Sequence, residues 1–250
     1  CVDILSSHCC DIFNSILSSG FYPEQWTEGV IIPLYKKGSI DDVNNYRGIT
    51  LVSCFSKVFT TILNKRIESF CEANATISDA QFGFRKGRST VAAASVLCEI
   101  VKNRLDNKQR TYACFVDFSK CFDTIRRDLL FIKLQTLGIP FQLCKLLHFI
   151  FQNLRFIIKS GKYLTREFSS NIGLPQGDPL SPILFGLFVH DLPNCFPHKG
   201  LQINNTFIKY LMFADDLAII ADSAAELQQA IDALQKYCTI NGLKINVRKT

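Results

Sequence analysis

Apolar positions along this chain switch between a helical period and short continuous runs, and the switches mark its elements. Asp3 to Leu17 carries apolar residues at helical spacing and stops near Ser19-Gly20, predicting an opening helix. Gly29 to Tyr35 (GVIIPLY) reads as a short strand in which Pro33, lacking a backbone donor, marks a sheet edge. A second strand is expected at Gly48 to Val52, so the basic, polar stretch from Lys36 to Arg47 becomes a hairpin-like connection. Ser56 to Glu68 and Thr90 to Leu105 have the spacing of amphipathic helices.

Thr111 to Phe118 (TYACFVDF) is apolar and aromatic enough to predict a buried strand. A helix is expected from Asp128 to Leu137, ended by Gly138, with Pro140 starting another that reaches about Phe151. Arg155 to Phe168 reads as two strands turning at Ser160-Gly161. Arg155, Lys159, Lys162 and Arg166 face only one acid there, Glu167, so this hairpin could touch a phosphate backbone. Ser181-Pro182 begins a helix over Ile183 to Leu192. Phe207 to Phe213 and Leu217 to Ala221 form a β-hairpin with Asp215 and Asp216 at its tip. Ser223 and Glu226 make a capping box for a helix whose Leu227, Ile231, Leu234 and Cys238 share one face until Asn241-Gly242 closes it. This order of elements is α+β with a mostly antiparallel sheet.

Composition narrows the picture only slightly. A chain of 250 residues with 48% hydrophobic and 20% charged residues folds around a core, which excludes disorder and collagen-like structure. Lys and Arg outnumber Asp and Glu by 28 to 22, with the surplus mostly after residue 125, and this tolerates a nucleic-acid partner without demanding one. The eleven cysteines contain no Cys-x-x-Cys pair and the four histidines complete no metal-ligand spacing, so a reducing, intracellular compartment is expected. The longest nearly apolar stretch, Pro182 to Val189, is far too short for a bilayer, and the N-terminus lacks a signal-peptide layout, so no membrane partner is expected.

The candidate chemistry begins at Asp215-Asp216. An Asp pair in a tight turn is ordinary turn chemistry, but here apolar runs bury both flanking strands and leave two like charges side by side. A divalent cation relieves that repulsion. A site for phosphoryl transfer needs a further carboxylate from another element, and Asp117, at the end of an apolar strand, is that candidate. Asp123, six residues on, reads as a helix-start or supporting carboxylate.

Three stretches now fall into order. Phe115-Val-Asp117-Phe118-Ser-Lys-Cys-Phe122-Asp123, Gly173-Leu-Pro-Gln176-Gly177-Asp178-Pro-Leu-Ser-Pro182 and Phe213-Ala-Asp215-Asp216 resemble motifs A, B and C of reverse transcriptases. Ile32 to Gly38 with Asn45 to Leu51, and Gln81 to Thr90, resemble the fingers motifs of non-LTR (LINE-type) retrotransposon enzymes, and Gly242 to Thr250 resembles motif D. The resemblance runs in order across about residues 20 to 250. It implies an RNA-directed DNA polymerase cut from a retrotransposon polyprotein, a right-hand polymerase with an antiparallel palm sheet. Fingers are expected at 1–80 and 131–165 and palm at 81–130 and 166–250, with the thumb and any endonuclease module absent.

The resemblance also implies roles. Asp117, Asp215, Asp216 and the Phe118 carbonyl would hold two Mg²⁺ ions, or Mn²⁺, and Lys249 would protonate the pyrophosphate leaving group. Lys36, Lys37 and Arg47 would grip the triphosphate, and Gln176 would hydrogen-bond near the nucleotide or template. Phe122 would exclude a 2′-hydroxyl. Arg85, Arg88 and Gly177 would meet template or primer. Asp178 departs from the small residue that family members often carry. RNA template, DNA primer and deoxynucleoside triphosphates are the implied partners, in cytoplasm and nucleus. An inactive copy acting as an RNA-binding module is the rival from another class, and the three intact acids argue against it.

Overall fold

The computed structural model describes residues 2–203 and 206–250. Its elements run α1 (Val2–Ser19), β1 (Glu28–Tyr35), β2 (Tyr46–Val52), α2 (Cys54–Ala73), α3 (Thr90–Asp106), β3 (Tyr112–Val116), α4 (Cys121–Thr124), α5 (Arg127–Thr136) and α6 (Phe141–Gln152). They continue through β4 (Arg155–Ser160), β5 (Tyr163–Leu164), β6 (Phe168–Ser169), α7 (Ser181–Phe188), β7 (Leu201–Ile203), β8 (Thr206–Ile208), β9 (Tyr210–Phe213), β10 (Asp216–Ala221) and α8 (Ala224–Asn241). The chain divides into two units, Cys1–Phe70 with Arg127–Ser181 and Cys71–Arg126 with Pro182–Thr250. Cys1 lies outside the described residues, and the other ten cysteines are free thiols. Among the described residues no helix is long and apolar enough to cross a membrane.

In the first unit a sheet of order β2-β1-β4-β5, with β6 also on β4, forms around β1. β1 pairs antiparallel with β2 from Gly29 to Tyr35 but parallel with β4 only from Glu28 to Ile31. Pro33 therefore sits where β1 has already lost its second neighbour, the edge position that its missing N–H requires. The parallel pairing was not foreseen, because a parallel partner lies far along the chain and leaves no turn signal between the two strands. An aromatic cluster closes the base of the unit. Trp26 stacks on Phe55 (6.2 Å, 9°), Phe13 and Tyr22 lean on Phe59, and the Tyr22 hydroxyl meets Ser56 Oγ at 2.8 Å.

One buried cation stands in this unit with no carboxylate partner among the described residues. The Arg127 guanidinium, on a residue 6% exposed, donates through Nη1 to the carbonyls of Phe151 and Ser170 (both 2.6 Å) and through Nε to that of Gly173 (2.7 Å). It also lies over the Phe151 ring at 5.6 Å, and burial pushes its pKa down to about 10. Three carbonyls outside the regular ladders are thus satisfied by one side chain, which ties the start of α5 to the end of α6 and to the segment after β6.

The second unit is built on the antiparallel sheet β3-β10-β9. β10 is its middle strand, pairing from Leu217↔Val116 to Ala221↔Tyr112 on one side and from Asp216↔Phe213 to Ile219↔Tyr210 on the other. Alternation sends Leu217 and Ile219 to one face and Ala218 and Ile220 to the other. All four are buried, because α8 packs on β10 and β3 while α3 packs on β9, where Phe82, Ile100, Leu201, Leu211 and Ile220 form a cluster. Ser223 Oγ accepts the Glu226 N–H as predicted, and Gly242, at φ +73°, ends α8.

Two expectations here need correction. β3 is not buried on both faces: Val116 and Phe118 are, but Phe115 is 60% exposed, because β3 is an edge strand with α8 on one side only. The apolar run from Phe207 to Phe213 is not one strand either. Its first part, β8, pairs with β7 as a separate ribbon, leaving Phe207 half-exposed.

Two stability measurements follow. Arg127→Met strands three carbonyls and should lower the unfolding free energy by about 2–4 kcal/mol in urea denaturation. Asp178, next to Gly177, accepts the Leu180 N–H at 2.8 Å, yet burial pushes its pKa up to about 6 against the opposing effects of that bond and of Lys57. Its folded value exceeds the ordinary 3.8, so the stability linked to the neutral carboxyl is complete below 3.8 and lost as pH rises through about 6. Asp178→Asn keeps the acceptor without the charge. It should be more stable than the unsubstituted chain by about 1 kcal/mol at pH 8, discounted for a partly exposed group, and no more stable near pH 4.

Candidate active site

Two carboxylates arrive at one place through strand register alone. Phe213 pairs with Asp216, so Ala214 and Asp215 are the whole of the β9–β10 loop and Asp216 opens β10. On the other side Leu217 pairs with Val116. One step further along the same register Asp216 stands across from Asp117, which follows the end of β3. Cross-strand partners share a face, so both acids project on the side of the sheet away from α8. A cavity of about 370 Å³ opens there, lined by Asp117, Asp216 and Lys249 together with apolar side chains that include Leu97, Phe115 and Phe213.

The segment after α8 holds Asp117 in place. Asn246 N donates to the Asp117 carbonyl and Ser119 N to that of Lys244, both at 2.8 Å. These two bonds flank the Phe118–Ile245 bridge, whose own N–H and C=O groups therefore point away from each other. The Phe118 carbonyl is thus directed off this segment while its ring is buried. The Asp117 carboxylate accepts from Asn246 Nδ2 at 2.7 Å and from Lys249 Nζ at 3.1 Å. Asp215 Oδ2 accepts from Cys121 Sγ at 3.4 Å. Burial, and then the Asp215 charge, push that thiol's pKa up, which keeps it a neutral donor.

These donors are carboxylate and carbonyl oxygens, the ligand set of a hard divalent cation rather than of zinc. The chemistry of Asp117, Asp215, Asp216 and the Phe118 carbonyl therefore fits a metal such as Mg²⁺. Among the described residues, however, no three His, Cys, Asp or Glu side chains are gathered into a metal-holding group. Asp117 is turned to Lys249 and Asn246, and Asp215 to Cys121.

The other expected site residues divide between the units. Phe122, half-buried, stacks on Phe185 (4.8 Å, 29°) and meets the edge of Phe84 (6.2 Å) in the second unit. Arg85 is committed internally. Its Nε and Nη2 grip both oxygens of Glu72 at 3.1 and 3.0 Å and Nη1 donates to the Ser78 carbonyl, so only 9% of its side chain is exposed. That fork holds the Glu72 carboxyl below its usual range. Arg88 pairs with Asp79 and lies over the Phe82 ring, but is 28% exposed.

Lys36, Lys37, Arg47, Gln176 and Gly177 belong to the first unit. The two lysines and Arg47 are exposed around the β1–β2 hairpin, where none of the three makes an ion pair with a described residue. Thr50 N donates to the Gln176 carbonyl at 2.7 Å, joining this loop to β2. Gly177, at φ +115°, lies so near that a Cβ would come within 2.8 Å of the Thr50 carbonyl oxygen, which only glycine permits.

Sequence reasoning missed Cys121 and the hold of Asn246 on Asp117. Cys121 stands between Lys120 and Phe122 with no metal-ligand or Cys-x-x-Cys spacing to single it out. The Asn246 contact joins residues 129 positions apart, and no local pattern announces it.

A family model for reverse transcriptase (RNA-dependent DNA polymerase) matches residues 34–250. The chain is 30% identical over 252 residues to the probable RNA-directed DNA polymerase from transposon BS of Drosophila melanogaster, covering 96% of this chain and 27% of that protein. Against the probable RNA-directed DNA polymerase from transposon X-element of the same organism it is 31% identical over 228 residues, covering 90% and 24%. A retrovirus-related Pol polyprotein from a type-1 retrotransposable element R2 of Popillia japonica is 27% identical over 238 residues, covering 94% and 33%. The chain thus spans about a quarter to a third of the length of these curated relatives. Among solved structures, apo telomerase from Candida tropicalis truncated from its C-terminal domain superposes with a TM-score of 0.67 at 14% identity, covering 94% of this chain and 53% of that one. At that identity the likeness speaks for a shared polymerase fold alone. With its motifs in order and the family match covering 34–250, the chain belongs to the reverse transcriptase (RNA-dependent DNA polymerase) family, among its non-LTR, LINE-type retrotransposon members.

Proposed function

We propose that this chain is the RNA-directed DNA polymerase portion of a retrotransposon polyprotein, adding deoxynucleotides to a DNA primer on an RNA template. The observation that carries this reading is the meeting of Asp117 and Asp216 at adjacent strand ends, with Lys249 Nζ 3.1 Å from Asp117. In this reading the palm expected at 81–130 and 166–250 overlaps mostly with the second unit, and the fingers expected at 1–80 and 131–165 mostly with the first, while residues 166–181, expected in the palm, belong to the first unit.

Asp117, Asp215 and Asp216, with the Phe118 carbonyl, are the residues that would hold two Mg²⁺ ions. When bound, such ions lower the pKa of a primer 3′-hydroxyl and stabilise charge on the transferring phosphoryl group. Asp117 brings its charge to the cavity, and Asn246 fixes the carboxylate's direction. Lys249 holds a proton at Nζ beside Asp117, where it can neutralise a pyrophosphate leaving group. Lys36 and Lys37 supply point charges and Arg47 a bidentate fork for the triphosphate. Gln176 is the candidate for a hydrogen bond to nucleotide or template, with Gly177 allowing close backbone approach. Of the two arginines assigned to template or primer, Arg88 is the better placed, because the Arg85 fork is already filled by Glu72.

Primer extension on an RNA template, with Mg²⁺ and with EDTA, tests the reading directly. Asp117→Asn and Asp215→Asn should each cut nucleotide incorporation by about a hundredfold or more while leaving RNA binding nearly intact. Near-normal extension by either variant removes the assignment. Phe122 tests which polymer is made. If its ring excludes the 2′-hydroxyl, Phe122→Val raises ribonucleotide incorporation with a modest loss of deoxyribonucleotide activity. If both activities fall together, or stability falls with sugar preference unchanged, the stack on Phe185 is its whole role.

A further inference from the structure

Residues 80–83 run alongside the free edge of β9. Met212 N donates to the Ala80 carbonyl at 2.8 Å and Phe82 N to the Met212 carbonyl at 2.7 Å, a parallel bridge centred on Gln81 and Met212. Gln81 is 5% exposed, and its side chain reaches the tip of the β9–β10 hairpin. Nε2 donates to the Ala214 carbonyl at 3.2 Å, while Oε1 accepts the N–H of Ala214 at 3.1 Å and that of Gly83 at 2.8 Å. One carboxamide thus serves both polar groups of the Ala214 backbone and a third from its own segment. Gly83 comes so close that a Cβ there would collide with the Ala214 backbone.

Ala214 needs this support. Its φ is +57°, in the left-handed region, whereas Asp215 is not among the residues with positive φ. A positive φ at only the first residue of a two-residue hairpin loop marks the place where glycine is usual. An alanine there is strained, so the conformation persists only if its surroundings impose it. The next two residues are Asp215 and Asp216.

We infer that Gln81 is a positioning residue for the catalytic hairpin: its carboxamide clamps Ala214 in the left-handed conformation and so sets where the Asp215 and Asp216 carboxylates stand. The inference rests on the polymerase reading above. It gives the Gln81-Phe-Gly segment a role apart from the phosphate contact expected of the arginines after it, since this stretch braces the acids through the backbone. A buried glutamine that only satisfied core polar groups would affect stability alone. A clamp acts on the rate at which the acids work, because small displacements of catalytic groups cost large factors.

The test compares Gln81→Met, which keeps length and bulk but loses all three hydrogen bonds, with the unsubstituted chain. Gln81→Met should lower kcat about tenfold or more while leaving the deoxynucleotide KM and RNA affinity within about twofold. Amide hydrogen exchange at Ala214 and Gly83 should quicken while the amides of α8 stay protected. Adding Ala214→Gly, which removes the steric penalty at φ +57°, should recover at least about threefold of the lost kcat. An unchanged kcat, unchanged exchange at Ala214, or a kcat loss that follows Tm and is not recovered by Ala214→Gly would each overturn the inference. If the unsubstituted chain adds no nucleotide at all, the polymerase reading fails, while exchange at Ala214 still decides whether the clamp exists.

Discussion

The pairing of β10 with a neighbour on each side is the constraint on which the active-site geometry depends. β10 has no free edge and no exposed apolar face, so a one-residue slip would send Leu217 and Ile219 out from under α8 and carry Asp216 to the wrong side of the sheet. The apolar side chains thus specify the register, and the register places the acids. Burial of carbon pins the position of oxygen: four buried residues, Leu217 to Ile220, hold a charged residue at the strand end where hydration is still available. The same logic acts on β3, where Val116 and Phe118 anchor on the α8 side and leave Asp117 between them facing the cavity.

Much of this could be read from the chain because its local signals agree with its tertiary ones. The Ser223–Glu226 cap, the Gly242 stop, the Pro33 edge and the Asp-bearing hairpin each combine a conformational preference with an apolar pattern of matching period. What stayed hidden was carried by partners distant in sequence. The parallel β1–β4 pairing, the hold of Asn246 on Asp117 and the contact of Cys121 with Asp215 join segments with no shared local pattern. Arg85 and Arg88 show a related limit of local patterns. A basic loop looks alike whether its charges await a phosphate or already meet Glu72 and Asp79, and only the fold distinguishes the two. Arg155 repeats the case, since Glu24 lies 3.1 Å from a side chain that looks unmatched in its own hairpin.

Two groups of basic side chains contrast. Arg85, Arg88, Arg104 and Arg155 are paired with Glu72, Asp79, Asp222 and Glu24 and help define the fold. Lys36, Lys37 and Arg47, and Lys159, Lys162 and Arg166, stand exposed on the hairpins of the first unit. These six charges face outward, where a polyanion can reach them.

The place of β3 in its sheet has a consequence during synthesis on the ribosome. Tyr112–Val116 pairs within that sheet only with Leu217 to Ala221, which are translated about a hundred residues later. At ordinary elongation rates the strand waits roughly 5–20 s for its partner, with the sequence YACFV and an unpaired edge available to other nascent chains. Asp117 directly after it and the nearby Lys120 place charges beside that apolar run, and charges beside an exposed strand discourage pairing with the wrong neighbour. The carboxylate that lines the cavity beside Asp216 is thus also a charge of this protective kind.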